Sequence, residues 1–311
     1  MKYCFGVDIG ATTVKQGLFD EEGNILDKWE IITRTEDQGK EILPDIAASI
    51  GAKIKEHRLN KTDILGIGVG VPAPVTTDGI VDGSANLGWK YKEAKRELDE
   101  LTGLYSKFAN DANVAALGEL WKGGGAGQKN MIMITLGTGV GGGIIIEGKM
   151  LTGAHGAGGE IGHIQVNDQE TESCGCGRKG CLEQYASATG IARLARHKLQ
   201  NETRATSLDI ENVSAKSVFD AVKKGDCVAR EIAEEFGEYL GKGCANMAAV
   251  IDPAVFVIGG GVSKAGEVLL PYIEKPYQEQ KLFANKDVKF VLAKLGNDAG
   301  ICGSAKLVLD K

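Results

Sequence analysis

The feature that most constrains the fold of this chain is a pattern of strand, glycine turn and strand that occurs twice. Its two copies are residues 3–8, 9–13 and 14–19, and then residues 131–136, 137–143 and 144–147. Each copy opens one half of a chain of 311 residues, which is long enough to bury two separate cores. We interpret the pattern as an internal duplication, although similarity between the two halves is faint outside it.

The glycine turns are candidate phosphate-binding loops. Asp8 ends the first strand, and the turn Ile9-Gly10-Ala11-Thr12-Thr13 follows it. Backbone N–H groups of a tight turn can bind an oxyanion, and a carboxylate at a strand end can hold Mg²⁺ through water. An ordinary glycine hairpin explains this first turn equally well.

The second and third glycine-rich turns strengthen the nucleotide hypothesis. Gly137–Gly143 has five glycines in seven residues, more than a hairpin needs, and Thr138 adds a hydroxyl. We attribute the excess to a charged ligand that approaches the backbone closely. No Gly-Lys-Ser/Thr follows, so the turn is not a Walker loop. Gly259-Gly260-Gly261 comes after a predicted strand, where bare backbone can accommodate a flat ring or a ribose.

Asn110 and Asp111 end one predicted strand and begin a predicted helix. Asp is a favoured N-cap residue, so capping alone accounts for such a position. The alternative role is a general base at the end of a sheet where ligands commonly bind. The sequence by itself leaves both roles open.

Four residues of the types that bind metal ions lie within 19 positions. They are His163, Cys174, Cys176 and Cys181, spaced as Cys-x-Cys-x4-Cys after the histidine. Three thiols and one imidazole complete a four-coordinate structural zinc site, which we favour over a plain loop or a redox site. If one ring nitrogen of His163 holds the ion, the other can face a ligand.

Composition limits the classes of partner and compartment. The net charge is −6 and no block of Lys or Arg occurs, which argues against nucleic acid as the main partner. No apolar run reaches membrane-spanning length, and the N-terminus is already a strand, so we expect neither a signal peptide nor a membrane anchor. The seven irregularly spaced cysteines are not typical of a disulfide framework, so we expect a reduced cytoplasm.

These motifs, in this order and over essentially the whole chain, resemble the ROK family of bacterial repressors, open reading frames and sugar kinases. Asp8-x-Gly-x-Thr resembles the first phosphate motif of the family and Gly137-Thr-Gly-Val-Gly-Gly-Gly the second. Glu160-x-Gly-His and Cys174-x-Cys-Gly-x-x-Gly-Cys-x-Glu183 resemble its signature and zinc motif. Ala11 departs from the pattern, because the family commonly has glycine there.

The resemblance implies an α/β fold of two domains, actin-like and hexokinase-like, which is a duplicated ribonuclease H-like fold with an interdomain cleft. We expect a small domain at residues 1–121, joined by a C-terminal helix at about 299–311. We expect a large domain at 122–298 that carries the zinc loop. Family members are often dimers, so a homodimer is expected as well.

The resemblance also implies roles for individual residues in the transfer of phosphate from Mg-ATP to the 6-hydroxyl of glucose. Asp111 is the expected general base. The expected sugar contacts are Asn86, Asn110, Asp111, Glu160, His163 and Glu183. The expected contacts to phosphates, Mg²⁺ and adenosine are Asp8, Gly10, Ala11, Thr12, Thr13, Gly137, Thr138, Gly139, Gly260 and Gly261. Zinc is expected to be structural and to fix the loop that presents His163 and Glu183.

Four alternatives compete with a glucokinase. The segment Asn86-Leu87-Gly88-Trp89 resembles bacterial glucokinases, but a kinase for N-acetylglucosamine or N-acetylmannosamine shares every other motif. A glucokinase that uses polyphosphate is a further possibility, although the Gly259–Gly261 loop favours ATP. A sugar-responsive repressor needs a helix-turn-helix before the first turn, and only seven residues precede Asp8. An actin-like filament or chaperone leaves the zinc cluster without a purpose.

Overall fold

A computed structural model describes residues 1–309, so the last two positions of the expected C-terminal helix lie outside the described residues. The chain forms two compact units. The first comprises residues 1–127, 150–158 and the segment from Leu295 onward, and the second comprises 128–149 and 159–294. The predicted domains at 1–121 and 122–298 stay a prediction; the compact units place 122–127, 150–158 and 295–298 with the first part of the chain.

The first unit is built on a five-stranded mixed sheet in the order β3-β2-β1-β4-β7. Its strands and a separate hairpin, β5–β6, are β1 Tyr3–Ile9, β2 Thr13–Asp20, β3 Ile25–Ile32, β4 Ile64–Val71, β5 Val81–Ser84, β6 Trp89–Lys92 and β7 Ser106–Asn110. Its helices are α1 Glu36–Gly39, α2 Ile42–Glu56, α3 Ala94–Thr102, α4 Asp111–Lys122 and α10 Ala299–Leu309. β2 runs antiparallel to β1 and β3, whereas β4 runs parallel to β1 and β7.

The second unit repeats this arrangement in the order β10-β9-β8-β11-β12. Its strands are β8 Met131–Leu136, β9 Val140–Ile146, β10 Lys149–Met150, β11 Val255–Gly259 and β12 Lys289–Leu292. Its helices are α5 Glu183–Ala186, α6 Ala188–Gln200, α7 Ala215–Lys223, α8 Cys227–Ile251 and α9 Leu270–Gln280. Again the second strand is antiparallel to the first, and β8, β11 and the edge strand β12 are parallel.

The repeated strand order confirms the predicted α/β class with a duplicated architecture. It also places the candidate loops within each unit. Because β1, β4 and β7 are parallel, Asp8 near the end of β1 and Asn110 at the end of β7 lie at one edge of the first sheet. In the second sheet, the turns after β8 and β11 likewise share an edge, since Thr135 pairs with Gly259. Ligands commonly bind at such carboxyl ends.

Helix α10 packs on the first sheet with almost no space between the two backbones. A Cβ at Gly68 would collide with the backbone of Ser304, and one at Gly6 would collide with Ile301. The Ser304 hydroxyl donates a hydrogen bond to the carbonyl of Val7 at 2.8 Å. This close approach sets the position of the helix start against the end of β1, next to Asp8.

Helix α2 covers the first unit's core, as its apolar spacing predicts. Ile42, Leu43, Ile46 and Ile50 are all buried within it. Each fully buried aliphatic side chain contributes on the order of 1.5–3 kcal/mol. The helical spacing of apolar residues over 38–58 predicts a longer helix, but the residues before Ile42 include Asp37 and Gln38 with positive φ, which breaks the helical repeat.

The structure corrects two sequence-based expectations. The prolines and glycines from Pro72 to Trp89 predict a loop, but this segment contains β5 and the start of β6. The second glycine turn is also shorter than predicted, because β9 begins at Val140. Gly142 therefore lies in a strand, where a Cβ would collide with the side chain of Ile161. Packing, rather than ligand approach, explains that glycine.

Among residues 1–309, no helix has the length and apolar character needed to cross a membrane.

Candidate active site and metal centre

Asp8 is a buried carboxyl with a raised pKa at the edge of the first sheet. Burial raises its pKa to about 6, repulsion from Asp111 adds to the increase, and Lys15 opposes it. Lys15 pairs with Asp8 across the β1–β2 ladder. A Cβ at Gly300 would collide with the Asp8 carboxylate, so this glycine leaves the space that the carboxylate occupies. Two carboxyl groups close enough to repel each other at a sheet edge are suited to share a cation.

The cap of helix α4 distinguishes the roles of Asn110 and Asp111. The side-chain oxygen of Asn110 accepts hydrogen bonds from the N–H groups of Ala112 at 3.0 Å and Asn113 at 3.2 Å. Asn110 is therefore the N-cap, and Asp111 is the first residue of the helix. The Oδ1 atom of Asp111 also accepts the N–H of Ala112 at 2.8 Å, so Asp111 takes part in capping as well, and the helix N-terminus favours its negative charge.

The first turn has a defined backbone held from the neighbouring strand end. The N–H of Gly10 donates to the carbonyl of Thr13 at 3.0 Å, and the Thr33 hydroxyl donates to the carbonyl of Gly10 at 2.7 Å. Thr12 accepts from the N–H of Thr33 at 2.9 Å. Ala11 is exposed and is absent from the positive-φ residues among those described, so this turn accepts its methyl group without backbone strain.

Asn86 lies in an exposed turn whose neighbours anchor it. Leu87 and Trp89 are buried, and the indole N–H of Trp89 donates to the carbonyl of Gly39 at 3.0 Å. The turn is also connected to the α4 cap region. The Ser84 hydroxyl donates a hydrogen bond to the carbonyl of Pro72. The side-chain amide of Asn110 donates to the carbonyl of Ala73, the residue that follows Pro72.

In the second unit, the turn after β8 consists of Gly137, Thr138 and Gly139. The N–H of Gly137 donates to the carbonyl of Gly139 at 2.9 Å. The start of α6 fixes the turn from the other side, since the N–H of Ala188 donates to the carbonyl of Gly137 at 2.8 Å. The Thr189 hydroxyl donates to the carbonyl of Thr138 at 2.7 Å. The turn and α6 therefore form one rigid corner.

Two cavities flank this turn. One of about 350 Å³ lies over Gly137, Gly139 and Gly141 and reaches Gly260. Gly260 has a φ of 82°, and a Cβ there would also collide with the backbone of Leu136, so only glycine fits. A second cavity of about 520 Å³ extends from Thr138 to Gly261. This size is in the range of small-molecule sites.

The larger cavity has walls that the sequence reading missed. They come from the start of α6, from α7 and from the turn after β11, and include Ala188, Ala192, Ala215, Phe219 and Val262. Small and apolar side chains on this wall suit a flat ring. The one local signal in this region is the Ser214-x-x-Ser217 capping box that starts α7. It marks a helix but says nothing about a cavity.

His163, Cys174, Cys176 and Cys181 form a cluster, as their spacing predicts. Their ligand atoms all lie within 4.8 Å of one another. The Sγ atoms of Cys176 and Cys181 are 3.7 Å apart, and Cys174 Sγ is 3.8 Å from His163 Nδ1. A tetrahedral zinc ion with bonds of about 2.3 Å places sulfur ligands about 3.8 Å apart. The donor set and its spacing fit that ion, and Nδ1 is the ring nitrogen that faces the cluster.

The thiols of the cluster lie in different environments. Burial raises the pKa of Cys181 to about 12 and also raises that of Cys174, whereas the backbone N–H of Arg178 lowers that of exposed Cys176. Buried thiols of this kind become thiolates only beside a cation. The buried thiols of Cys174 and Cys181 therefore need a bound ion to become thiolate ligands.

Glu183 connects this cluster to the glycine turn. Its Oε1 lies 3.8 Å from Cys174 Sγ, and its Oε2 accepts a hydrogen bond from the N–H of Val140 at 2.9 Å. Glu160 is exposed and precedes the short 3-10 turn that contains His163. Among residues 1–309, its side chain makes no hydrogen bond to the glycine turn.

A model of the ROK family matches residues 4–311. The chain belongs to the ROK family. The glucokinase of Halalkalibacterium halodurans is 43% identical over 99% of this ROK chain and 95% of its own length. The ROK family glucokinase of Streptomyces griseus, solved with glucose and AMPPNP, is 34% identical over 98% of both chains, with a TM-score of 0.75. The ROK hexokinase of Thermus thermophilus is 30% identical with a TM-score of 0.82, over 97% and 96% of the two chains.

Membership of the ROK family confirms the resemblance inferred from the motifs, and the solved relatives confirm the actin-like fold class. Within the first unit, the structure brings Asp8 close to Asp111. Within the second, it brings together the four metal-ligand side chains and sets Glu183 against the glycine turn. The roles assigned to individual ROK residues stay predictions.

Proposed function

We propose that this chain is an ATP-dependent sugar kinase that phosphorylates glucose at its 6-hydroxyl. The observation that carries the proposal is the position of Asp111: it is the first residue of α4, beside Asp8, with the cap supplied by Asn110. Relatives support the substrates. The H. halodurans protein is named a glucokinase, and the S. griseus enzyme was solved with glucose and AMPPNP.

In the proposed reaction, the Asp111 carboxylate accepts the proton of the sugar 6-hydroxyl while the hydroxyl oxygen bonds to the terminal phosphorus of ATP. The bond from that phosphorus to the bridging oxygen breaks, and ADP leaves. Phosphoryl transfer depends mostly on positioning and charge stabilisation, so the base need not have a raised pKa. Bound Mg²⁺ neutralises charge on the phosphates, and Asp8 would hold it through water. The first turn, Gly10, Ala11, Thr12 and Thr13, supplies backbone donors and hydroxyls beside that carboxylate.

Asn86, Asn110, Glu160, His163 and Glu183 would bind the remaining sugar hydroxyls. Carboxylates suit vicinal hydroxyls because each accepts two strong hydrogen bonds. The Gly137–Gly139 turn would bind phosphates, and the larger cavity beside Gly261 would accept adenosine. Zinc in the Cys/His cluster would be structural and would hold His163 with its second ring nitrogen turned toward the sugar.

The test is ADP release by zinc-replete protein with Mg-ATP and separate sugars: glucose, mannose, fructose, N-acetylglucosamine and N-acetylmannosamine. We expect kcat/KM to be highest with glucose. A preference for an N-acetyl sugar would replace the substrate and keep the reaction class. Absence of ADP release with every sugar would reject the kinase proposal for this panel. Polyphosphate in place of ATP tests the donor, and light scattering tests the expected dimer.

A further inference from the structure

The Glu183 carboxylate occupies the glycine turn as an internal anion. Its Oε2 accepts the N–H of Val140 at 2.9 Å, the hydrogen bond that a phosphate oxygen would take in such a turn. A Cβ at Gly139 would collide with this same oxygen, so the bare backbone at Gly139 leaves room for the carboxylate. The turn therefore already binds an oxyanion, which belongs to the chain.

This carboxylate also changes the charge of the smaller cavity. The described residues that line this cavity include Gly137, Gly139 and Gly260, and Glu183 is the one charged residue among them. A nucleoside triphosphate brings several negative charges to such a turn. Like charges a few ångströms apart in a partly buried site repel each other by an amount that lowers affinity on the order of tenfold or more. An unmoved Glu183 thus opposes the ligand that the turn would bind.

We propose that Glu183 suppresses nucleotide binding until sugar binds, because it holds the phosphate turn as a substitute anion and sugar hydroxyls draw it away. This inference rests on the proposed function, in which Glu183 contacts sugar. One side chain then serves two ligands in turn. Sugar binding removes a negative charge from the turn and frees the Val140 N–H. Linkage requires the reciprocal effect, so nucleotide binding tightens sugar binding by the same factor.

Two substitutions separate this role from a structural one. Glu183→Gln keeps an oxygen that can accept the Val140 N–H but removes the charge. Glu183→Ala removes both. If Glu183 repels phosphate, both variants bind nucleotide more tightly than the unaltered protein in the absence of sugar. If Glu183 merely supports the turn, the alanine variant binds more weakly and the glutamine variant is unchanged.

The experiment is isothermal titration calorimetry, which measures the Kd of Mg-AMPPNP for the zinc-replete protein without sugar. We expect about tenfold tighter binding for Glu183→Gln and at least as much for Glu183→Ala. Glu147→Gln is the matched control: it removes the same charge from an exposed residue of the same unit, just after β9, that lines neither cavity, so its Kd for AMPPNP should not change. Equal affinity of Glu183→Gln and the unaltered protein would overturn the proposal, as would an equal gain in Glu147→Gln.

A second titration, at saturating glucose, tests the coupling. AMPPNP should bind the unaltered protein about tenfold more tightly than without sugar, and this gain should vanish in Glu183→Gln. A gain that persists in the variant contradicts the proposal. The two hypotheses fail separately: the sugar-free titrations need no turnover, whereas the proposed function fails on ADP release alone.

Discussion

At the scale of single residues, Asp111 carries the chemistry of the proposed reaction. Asp111→Asn keeps the size of the side chain and removes the proton acceptor. We expect kcat to fall by about 10²–10⁴-fold, the usual contribution of a general base, while the Kd for glucose changes little. Steady-state kinetics and glucose titration measure the two effects. Asp82→Asn, an exposed exchange in the same unit, should leave both unchanged. Turnover within a few-fold of normal would remove Asp111 as the base.

We expect the Asp8 carboxylate to destabilise the fold at neutral pH and yet to be needed for activity. Burial raises its pKa from 3.8 to about 6, so the folded chain binds this proton more tightly than the unfolded chain does. Stability of the unaltered protein therefore decreases as pH rises from about 4 to about 6 and then levels off. A carboxyl perturbed to this extent costs roughly 3 kcal/mol when it ionises.

Asp8→Asn should accordingly raise the Tm by a few degrees at pH 7.5, and the difference should shrink toward pH 4. Its kcat/KM for Mg-ATP should fall at least tenfold, because the amide cannot hold a cation as a carboxylate does. Thermal unfolding over this pH range, together with kinetics at pH 7.5, provides the measurement. A Tm gain that is independent of pH would show that ionisation of Asp8 is not its cause.

At the scale of elements, the contact between α10 and β1 is tight enough to test with one methyl group. Gly300→Ala adds a Cβ where the Asp8 carboxylate lies, so we expect a displaced Asp8 and at least a tenfold loss of kcat/KM for Mg-ATP. Gly51→Ala is the matched control in α2, where a Cβ meets nothing within 4 Å. That exchange should stabilise the protein by about 0.5–1 kcal/mol and leave activity unchanged. Equal kinetics for the two variants would contradict this account.

Elements whose signal is local were predictable from the sequence. The apolar run Ile64–Val71 predicts β4 and the helical repeat Cys227–Ile251 predicts α8, and both elements have these bounds in the structure. The hairpin β5–β6 was missed because its two short strands lie among glycines and prolines that read as loop. The sequence of the second turn predicts a close ligand as the reason for all its glycines. Gly142 is instead required by the side chain of Ile161, which lies 19 positions away and which only the fold brings into contact.

The same distinction holds for the candidate site. The cysteine cluster and the turns after β1, β8 and β11 are short segments, so their spacing revealed them. The wall of the larger cavity was not predictable, because α7 reaches it only after the irregular stretch 201–214. Nor did the sequence show that Glu183 contacts the glycine turn, since 43 positions separate it from Val140.

At the scale of the whole molecule, the metal cluster couples one loop to the stability and sugar affinity of the chain. A metal that binds only the folded protein adds its binding free energy to folding. Cys176→Ser removes one ligand from the cluster. We expect bound zinc to fall well below one ion per chain, the Tm to fall by several degrees, and glucose affinity to fall at least tenfold, since the loop carries His163 and Glu183.

Elemental analysis, thermal unfolding and glucose titration measure these three effects on one preparation. Cys227→Ser is the matched control, because Cys227 is exposed at the start of α8 and lies outside the cluster. It should retain zinc, Tm and glucose affinity, so a thiol effect unrelated to metal would appear in both variants.

Zinc returned to a chelator-treated, unaltered protein should restore all three values. Mg²⁺ should not, because it prefers oxygen ligands. Full zinc content in Cys176→Ser would reject Cys176 as a ligand, and normal glucose affinity in a zinc-poor chain would uncouple the metal from the sugar site.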